Sequence, residues 1–316
     1  MSTSRTPAGQ QPPHEPHPNH DRGLEFDLST LMTRRSLGMF FGAGTAAAAL
    51  AACTPGGSGP GASSPAGTTS AAPGSMATTT APAASPTVTR AIAECGVEIP
   101  KETAGPYPGD GSNGPNVLEA SGVVRQDMTS SFGPSSTKAD GVPLTVTLTL
   151  LDNANGCVPL AGAAVYAWHC DREGRYSMYS SGVEDQNYLR GVQIADSAGR
   201  VSFTSVFPAC YSGRWPHIHF EVYPDQAGIT DASNAIATSQ VALPEDVCNK
   251  VYAQAGYEQS VSNLSEISLD SDNVFGDDGG ASQLGTVTGD VAGGYNVFLA
   301  VRVDTTTTPS GGRPRR

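Results

Sequence analysis

The chain has 316 residues, which by length alone allows one or two domains. Its 30 acidic residues outnumber its 18 Lys and Arg residues and give a formal net charge of -12, and because an acidic chain repels phosphate backbones, the sequence argues against nucleic-acid binding. Much of the excess Gly and Pro precedes residue 91, so the composition itself divides the chain.

The first 52 residues have the features of an export signal. Residues 1–31 are polar, without an apolar period, which predicts disorder. Arg34 and Arg35 then precede an apolar run that is too short for a comfortable membrane span, a pattern that resembles a twin-arginine export signal. The run ends in Leu50-Ala51-Ala52-Cys53, which resembles a bacterial lipobox. We therefore expect Cys53 to be lipidated and to become the mature N-terminus.

Two low-complexity segments flank the remaining sequence. Residues 53–90 consist almost entirely of Gly, Ser, Ala, Thr and Pro, a composition that is typical of a flexible tether. Residues 305–316 are predicted to be a disordered tail. The sequence thus predicts one folded domain, residues 91–304, which is exported and anchored by lipid on the extracytoplasmic face of the cell membrane.

Short alternating segments predict β-strands throughout this domain. Residues 144–150 alternate strictly between apolar and polar, and residues 164–168, 201–207, 217–223 and 297–303 give further strands separated by turn residues. We find no convincing helical period, and the Asp- and Gly-rich stretch 270–294 is interpreted as an irregular loop of unknown role. The expected fold is all-β, a β-sandwich of mostly antiparallel strands with long irregular loops.

Two histidines suggest where the chemistry lies. His217 and His219 fall on a predicted strand, where residues i and i+2 point to the same face about 6.6 Å apart and can converge on one metal ion. The segment Cys210-Tyr211-Ser212-Gly213-Arg214 lies just upstream, and residues 168–177 carry a further Tyr and His.

The order and spacing of these segments resemble the intradiol ring-cleavage dioxygenases, the family of protocatechuate 3,4-dioxygenase and catechol 1,2-dioxygenase. Residues 102–108 and 190–193 agree with the same family, and the resemblance covers roughly residues 95–304. It implies a first tyrosinate ligand at the tyrosine after a Gly-Arg pair, a second shortly before an Arg-x-x-His-x-His element, and an arginine that stabilises the activated substrate. The implied metal ligands are Tyr176, Tyr211, His217 and His219, and the implied catalytic residues are Arg214 and Tyr211.

The family resemblance implies Fe(III) as the metal and a catechol and O₂ as substrates. Fe(III) prefers anionic oxygen donors. Two phenolates, two neutral imidazoles and a hydroxide leave the centre without net charge, so the free-energy cost of burying it is low. A chelating catecholate would displace the hydroxide and Tyr211, while Arg214 stabilises negative charge on the ring. The expected product is a muconate-type diacid, and no organic cofactor is needed.

Other readings of the sequence stay open. The domain could be a lipid-anchored binding module for catecholates or carbohydrate without turnover. It could also be a copper or zinc enzyme on His217 and His219, although tyrosinate is an uncommon zinc ligand. His169 has no matching ligand role and is interpreted as structural, whereas Tyr107 belongs to a motif that borders the substrate pocket in relatives.

The substrate, the oligomeric state and the disulfides are not determined by the sequence. Segment 210–214 is shorter than the corresponding loop of the protocatechuate enzymes, so the catechol that fits is undefined. The tether occupies the place of the helices through which the catechol enzymes dimerise. Outside the cell disulfides are permitted, and the candidate cysteines allow two bridges with one thiol left over: Cys95, Cys157, Cys170, Cys210 and Cys248.

Overall fold

The computed structural model describes residues 96–306. The export signal, the lipidation site at Cys53, the tether, Cys95 and most of the predicted tail lie outside the described residues. Between residues 96 and 306, no helix combines the length and the apolar character needed to cross a membrane.

The described residues form nine β-strands and two short α-helices. They are β1 (Pro143–Asp152), β2 (Val158–Pro159), β3 (Ala164–Trp168), β4 (Arg190–Ile194), β5 (Arg200–Val206), β6 (His217–Tyr223), β7 (Ala237–Ala242), α1 (Glu245–Tyr252), α2 (Glu258–Ser265), β8 (Thr286–Asp290) and β9 (Gly294–Val303).

The strands form two sheets, as the alternating pattern predicted. In the first sheet, β1 pairs antiparallel with β5 and β2 along one side and parallel with β9 along the other, and β8 adds an antiparallel edge to β9. The second sheet has the order β4-β3-β6-β7 and is antiparallel throughout. The expected all-β fold with mostly antiparallel strands is therefore confirmed.

The main core lies between the two sheets. Leu144, Val146 and Leu148 alternate along β1 and are buried in one cluster with Ile218 and Phe220 of β6. Because successive strand residues point to opposite faces, the same alternation sends the other residues of β6 to the outer face of the second sheet. That outer face is also covered, so all seven residues of β6 are buried.

The structure corrects three expectations about secondary structure. Two helices, α1 and α2, are present although no helical period was recognised; each has only eight residues, so the buried face of α1 (Val247, Cys248, Val251 and Tyr252) spans only two turns, and α2 buries only Ser260 and Leu264. The stretch 270–294 is not entirely irregular, because it contains the exposed edge strand β8, which is stabilised by pairing with β9. Strands β4 and β7 were also missed, since they are short and lack strict alternation.

The structure also limits the disulfides. Cys170, Cys210 and Cys248 are free and buried, whereas Cys157 is disulfide-bonded. The described cysteines therefore contribute to one bridge only.

Candidate metal centre

Strand β6 places both predicted histidine ligands on the outer face of the second sheet. His217 and His219 are each 2% exposed, and their Nε2 atoms lie 3.0 Å apart. The His217 Nδ1–H donates to the carbonyl oxygen of Trp215 at 2.5 Å. This hydrogen bond leaves the lone pair on Nε2, which points towards His219 and lies 3.2 Å from the hydroxyl oxygen of Tyr211.

A tight turn returns the chain from Tyr211 to Arg214. The Arg214 N–H donates to the Tyr211 carbonyl oxygen at 3.4 Å, and Gly213 within the turn has a φ of +80°, in the left-handed region that favours glycine. The Tyr211 ring is half-buried and lies 5.6 Å from the His217 ring. The turn therefore brings the predicted second tyrosinate and the predicted catalytic arginine to the same place.

A loop whose conformation is fixed by hydrogen bonds to the Asp171 carboxylate positions Tyr176. Asp171 accepts hydrogen bonds from the backbone N–H groups of Glu173 and Arg175, from the Arg175 guanidinium and from the Tyr188 hydroxyl. The loop ends at Tyr176, whose N–H donates to the Ser180 hydroxyl at 2.9 Å. Asp171 thus fixes the conformation from which Tyr176 enters the site.

All four predicted ligand side chains meet at one point. The Tyr176 ring lies 5.9 Å from the Tyr211 ring and 6.2 Å from the His219 ring, and the two histidine rings are 4.7 Å apart. Among the described residues, no group of three or more His, Cys, Asp and Glu side chains could hold a metal ion. A metal ion at this point would accordingly need the tyrosines as ligands.

The chemistry of these donors fits a metal cation. Among residues 96–306, the buried Tyr176 hydroxyl and the buried His219 Nδ1 have no hydrogen-bond partner. Burial, reinforced by Tyr211, raises the pKa of Tyr176 well above its usual value, so the protein alone keeps this phenol neutral. Burial and the charge of Arg214 lower the pKa of His217 to about 3, and burial and His217 lower that of His219. Neutral imidazoles can donate lone pairs, and a bound cation is what would allow the phenol to ionise.

An aromatic stack orients His219, and the sequence did not reveal it. Trp168 of β3 lies directly opposite His219 in the antiparallel register, with ring centroids 4.8 Å apart and ring planes 6° apart. The other face of Trp168 stacks on Tyr166 at 4.8 Å. Tyr166 donates a hydrogen bond to the Pro108 carbonyl oxygen and accepts one from Arg190. His219 Nδ1 has no hydrogen-bond partner in the described part of the chain, so stacking against Trp168 holds the imidazole plane.

Arg214 is buried and held by two residues that the sequence did not predict. Its Nε donates to the Asp272 carboxylate at 3.0 Å, and its Nη2 donates to the Gln240 side-chain oxygen at 2.6 Å. Gln240 lies directly opposite His219 across β6 and β7. No spacing in the sequence indicates either partner, because Gln240 depends on the strand register and Asp272 on the path of a loop.

Asp272 gives a structural role to the Asp- and Gly-rich stretch. Besides Arg214, its carboxylate accepts hydrogen bonds from the N–H groups of Trp215, Val274 and Phe275. Burial alone would raise the pKa of Asp272, but Arg214 and these N–H donors outweigh burial and hold the pKa below its usual value. Asp272 is therefore the counterion of Arg214 inside the protein.

A second buried arginine supports the wall beside Tyr176. Arg190 donates to the carbonyl oxygens of Tyr107, Pro108 and Ser177. Tyr107 lies with its ring 5.0 Å from the Tyr176 ring, so it borders the candidate centre as expected. His169 is buried and hydrogen-bonds to the Cys170 carbonyl oxygen and the Ser205 hydroxyl, in keeping with a structural role.

Comparisons with known proteins relate the sequence and the fold of this chain to dioxygenases. A family profile described as Dioxygenase matches residues 113–230. Over 53 residues, 17% of this chain, the sequence is 36% identical to the chlorocatechol 1,2-dioxygenase of Rhodococcus opacus, and the aligned region spans 21% of that relative's length. The fold is similar to that of an intradiol ring-cleavage dioxygenase from Tetranychus urticae, with 23% identity, a TM-score of 0.55, and 68% of this chain and 98% of that chain covered. Residues 113–230 thus match a dioxygenase profile, and the fold is similar to that of an intradiol ring-cleavage dioxygenase.

We predict that Asp272→Asn destabilises the protein much more than the same change at Asp277. Removing one partner of a fully buried ion pair leaves an uncompensated charge and costs about 3 to 5 kcal/mol, whereas Asp277 is exposed and its loss should cost no more than about 0.5 kcal/mol. The measurement is the free energy of unfolding in urea for both variants.

The pH dependence of this difference follows from the lowered pKa of Asp272. A carboxyl whose pKa is lower in the folded state stabilises the protein above the pKa of the unfolded chain, about 4, and loses this contribution as the pH falls. The gap between the wild type and Asp272→Asn should therefore be full at pH 7 and shrink below about pH 4. A gap that stays constant on acidification would show that the carboxylate charge is not what Arg214 requires.

Proposed function

We propose that this protein is a non-haem Fe(III) dioxygenase that cleaves catecholic rings between the two hydroxylated carbons, using O₂ and releasing muconate-type diacids. The observation that carries the proposal is the convergence of two tyrosines and two histidines beside a buried arginine. The match of residues 113–230 to a dioxygenase profile supports the same reaction.

Fe(III) would be held by Tyr176, Tyr211, His217 and His219, and when bound it supplies a Lewis-acidic centre that chelates the catechol and draws electron density from the ring. The protein residues prepare that centre. Tyr176 is deeply buried and so suits a permanent anionic ligand, whereas Tyr211 is half-buried. Tyr211 would therefore be the ligand that gives up its place to the substrate, and its phenolic oxygen would accept a proton from the incoming catechol hydroxyl.

Arg214 would stabilise negative charge that develops on the substrate ring. Its positive charge acts on the centre, since it contributes to the lowered pKa values of His217 and His219. Asp272 and Gln240 fix the guanidinium in advance, so no reorganisation is needed during the reaction.

The first test of this proposal is the metal and the roles of the two tyrosines. The iron-loaded protein should absorb visible light through tyrosinate-to-iron charge transfer. Tyr211→Phe should keep iron and give a catechol complex like that of the wild type under anaerobic conditions, because Tyr211 has already left the metal there. Tyr176→Phe should alter the spectrum of that complex, since a permanent anionic ligand is lost.

Tyr252→Phe is the matched control, because Tyr252 is a buried tyrosine whose hydroxyl bonds to the Pro208 carbonyl oxygen in the core. A colourless protein that holds stoichiometric zinc or copper after native expression would contradict the iron assignment. A coloured protein that binds catechol and never cleaves it in O₂ would instead favour the catecholate-binding alternative.

A second test concerns the charge of Arg214. Arg214→Leu should lower turnover on the order of 100-fold or more, because a preorganised charge contact is lost, while Arg214→Lys should retain part of the rate. The measurement is kcat at equal iron content, with circular dichroism to confirm folding. Unchanged turnover in Arg214→Leu would show that this residue has no catalytic role.

We also propose that the domain acts outside the cell on a lipid anchor at Cys53. The paired arginines Arg34 and Arg35 and the Leu50–Cys53 box support this proposal. Replacing both arginines by lysine should keep the protein inside the cell, and Cys53→Ser should remove the lipid. Labelling of the Cys53→Ser protein by a fatty-acid probe would contradict the anchor.

A further inference from the structure

One row of residues crosses the second sheet at the level of His219. Arg190 of β4 lies directly opposite Trp168 of β3. Trp168 in turn lies opposite His219 of β6, which lies opposite Gln240 of β7. Residues that lie directly opposite each other in neighbouring strands point to the same face of a sheet. The row therefore follows the outer face from Arg190, through a proposed metal ligand, to the residue that holds Arg214.

The guanidinium of Arg190 uses all five of its N–H donors inside the protein. Its Nε donates to the Ser177 hydroxyl at 3.0 Å, and its Nη2 donates to the carbonyl oxygens of Ser177 at 2.9 Å and Tyr107 at 3.0 Å. Its Nη1 donates to the Pro108 carbonyl oxygen at 2.7 Å and to the Tyr166 hydroxyl at 3.0 Å. All five acceptors are neutral, so this buried side chain keeps its full positive charge.

Three of these hydrogen bonds hold the tyrosine side of the candidate centre. Two of them end on Ser177, which follows Tyr176 directly in the chain. The third fixes the main chain of Tyr107, whose ring lies 5.0 Å from the Tyr176 ring. Arg190 thus restrains Tyr176 through its neighbour in the chain and through its neighbour in space.

The hydrogen bond to Tyr166 holds the histidine side. The Tyr166 ring stacks on Trp168 and Trp168 stacks on His219, with ring centroids 4.8 Å apart in both cases. The Tyr166 hydroxyl also donates to the Pro108 carbonyl oxygen, which accepts from Arg190 as well, so these three groups form a closed set of hydrogen bonds. A displaced guanidinium would release the hydroxyl end of Tyr166 and, with it, the stack that holds His219.

Close packing confines the guanidinium between these two sides. Gly109 has a φ of +67°, and a Cβ at this position would lie 2.7 Å from Nη1 of Arg190. The Gly109 N–H donates to the Tyr179 hydroxyl at 2.8 Å, and the Tyr179 ring centroid lies 5.4 Å from the central guanidinium carbon. A rigid, planar group that is packed so tightly transmits a displacement on one side to the other.

We propose that Arg190 is a positioning residue that couples the two halves of the metal centre, because it holds Tyr176 and His219 at the separation that one metal ion requires. This inference rests on the proposed iron site and gives it a second arginine, with a task different from that of Arg214. Replacing a residue that orients metal ligands commonly lowers metal affinity about 10- to 100-fold. Lysine cannot take over this task, since its compact ammonium group has three donors and no planar fork.

The test replaces Arg190 by lysine, which keeps the positive charge and removes the planar fork. In the iron-loaded Arg190→Lys protein, the tyrosinate-to-iron charge-transfer band should shift, and the nitrogen couplings of the bound imidazoles in pulsed electron paramagnetic resonance should change. The affinity for Fe(III), measured by competition with nitrilotriacetate, should fall about 10-fold or more. A merely structural role would lower the stability and leave both spectra of the folded, loaded protein unchanged.

Arg125→Lys is the matched control. The donors of Arg125 also end on neutral carbonyl oxygens, those of Ser130, Asn187 and Arg190, and its guanidinium lies over the Phe132 ring at 4.5 Å. It contacts neither the tyrosine side nor the histidine side of the centre through these bonds. Arg125→Lys should therefore lower the stability while the band, the couplings and the affinity for Fe(III) stay as in the wild type.

Two milder variants probe the two sides separately and keep the test valid if Arg190→Lys folds poorly. Ser177→Ala removes an acceptor on the tyrosine side and should shift mainly the charge-transfer band. Tyr166→Phe keeps the aromatic ring, removes its hydroxyl and should change mainly the nitrogen couplings. Because both sides meet at one guanidinium, the combined effect on Fe(III) affinity should differ at least about twofold from the product of the single effects.

The coupling by Arg190 and the iron site itself can fail independently. An unchanged band, unchanged couplings and unchanged affinity in Arg190→Lys would overturn the coupling, whereas a wild type that takes up no Fe(III) would contradict the iron site. In that second case, crystal structures of the metal-free wild type and of Arg190→Lys decide the role of Arg190. The ring separation of 6.2 Å between Tyr176 and His219 should change in the variant, and an unchanged separation would overturn the inference.

Discussion

Strand β6 must serve the core and the candidate centre at the same time, and the two-residue period of a β-strand makes this possible. Ile218 and Phe220 point into the space between the sheets, while His217 and His219 point to the outer face. Loops cover that outer face, so the histidines are as deeply buried as the core residues beside them. The rigid position of the imidazoles is thus a direct result of the packing of the two sheets.

Burying a reactive site in this way requires that its charges be balanced. The protein keeps the imidazoles and Tyr176 neutral through burial, and it pairs Arg214 with Asp272. A cation at the centre would be matched by phenolates formed from residues that are otherwise neutral. Arg190, which is 1% exposed, is instead surrounded by carbonyl and hydroxyl oxygens that accept its hydrogen bonds.

The sequence predicted the fold class and the strands that alternate, because burial on one face leaves a two-residue pattern in β1 and β6. It missed β4 and β7, which are buried on both faces or carry polar residues inward, and the two-turn helices α1 and α2. The proposed ligands were visible because they lie in short local motifs. Trp168, Gln240 and Asp272 could not be assigned, since their contacts depend on cross-strand register and on a loop that is distant in sequence.

The parallel pairing of β1 with β9 has a consequence for how the chain folds. The last strand of the domain lies inside the first sheet rather than at its edge, with β1 on one side and β8 on the other. Until residues 294–303 have been synthesised, β1 presents an unpaired edge that can recruit another chain, and such long-range pairings form slowly. A chain truncated before β9 would keep every proposed ligand and still lack the strand that closes the sheet behind them. The domain therefore keeps an aggregation-prone sheet edge until β9 has paired with β1.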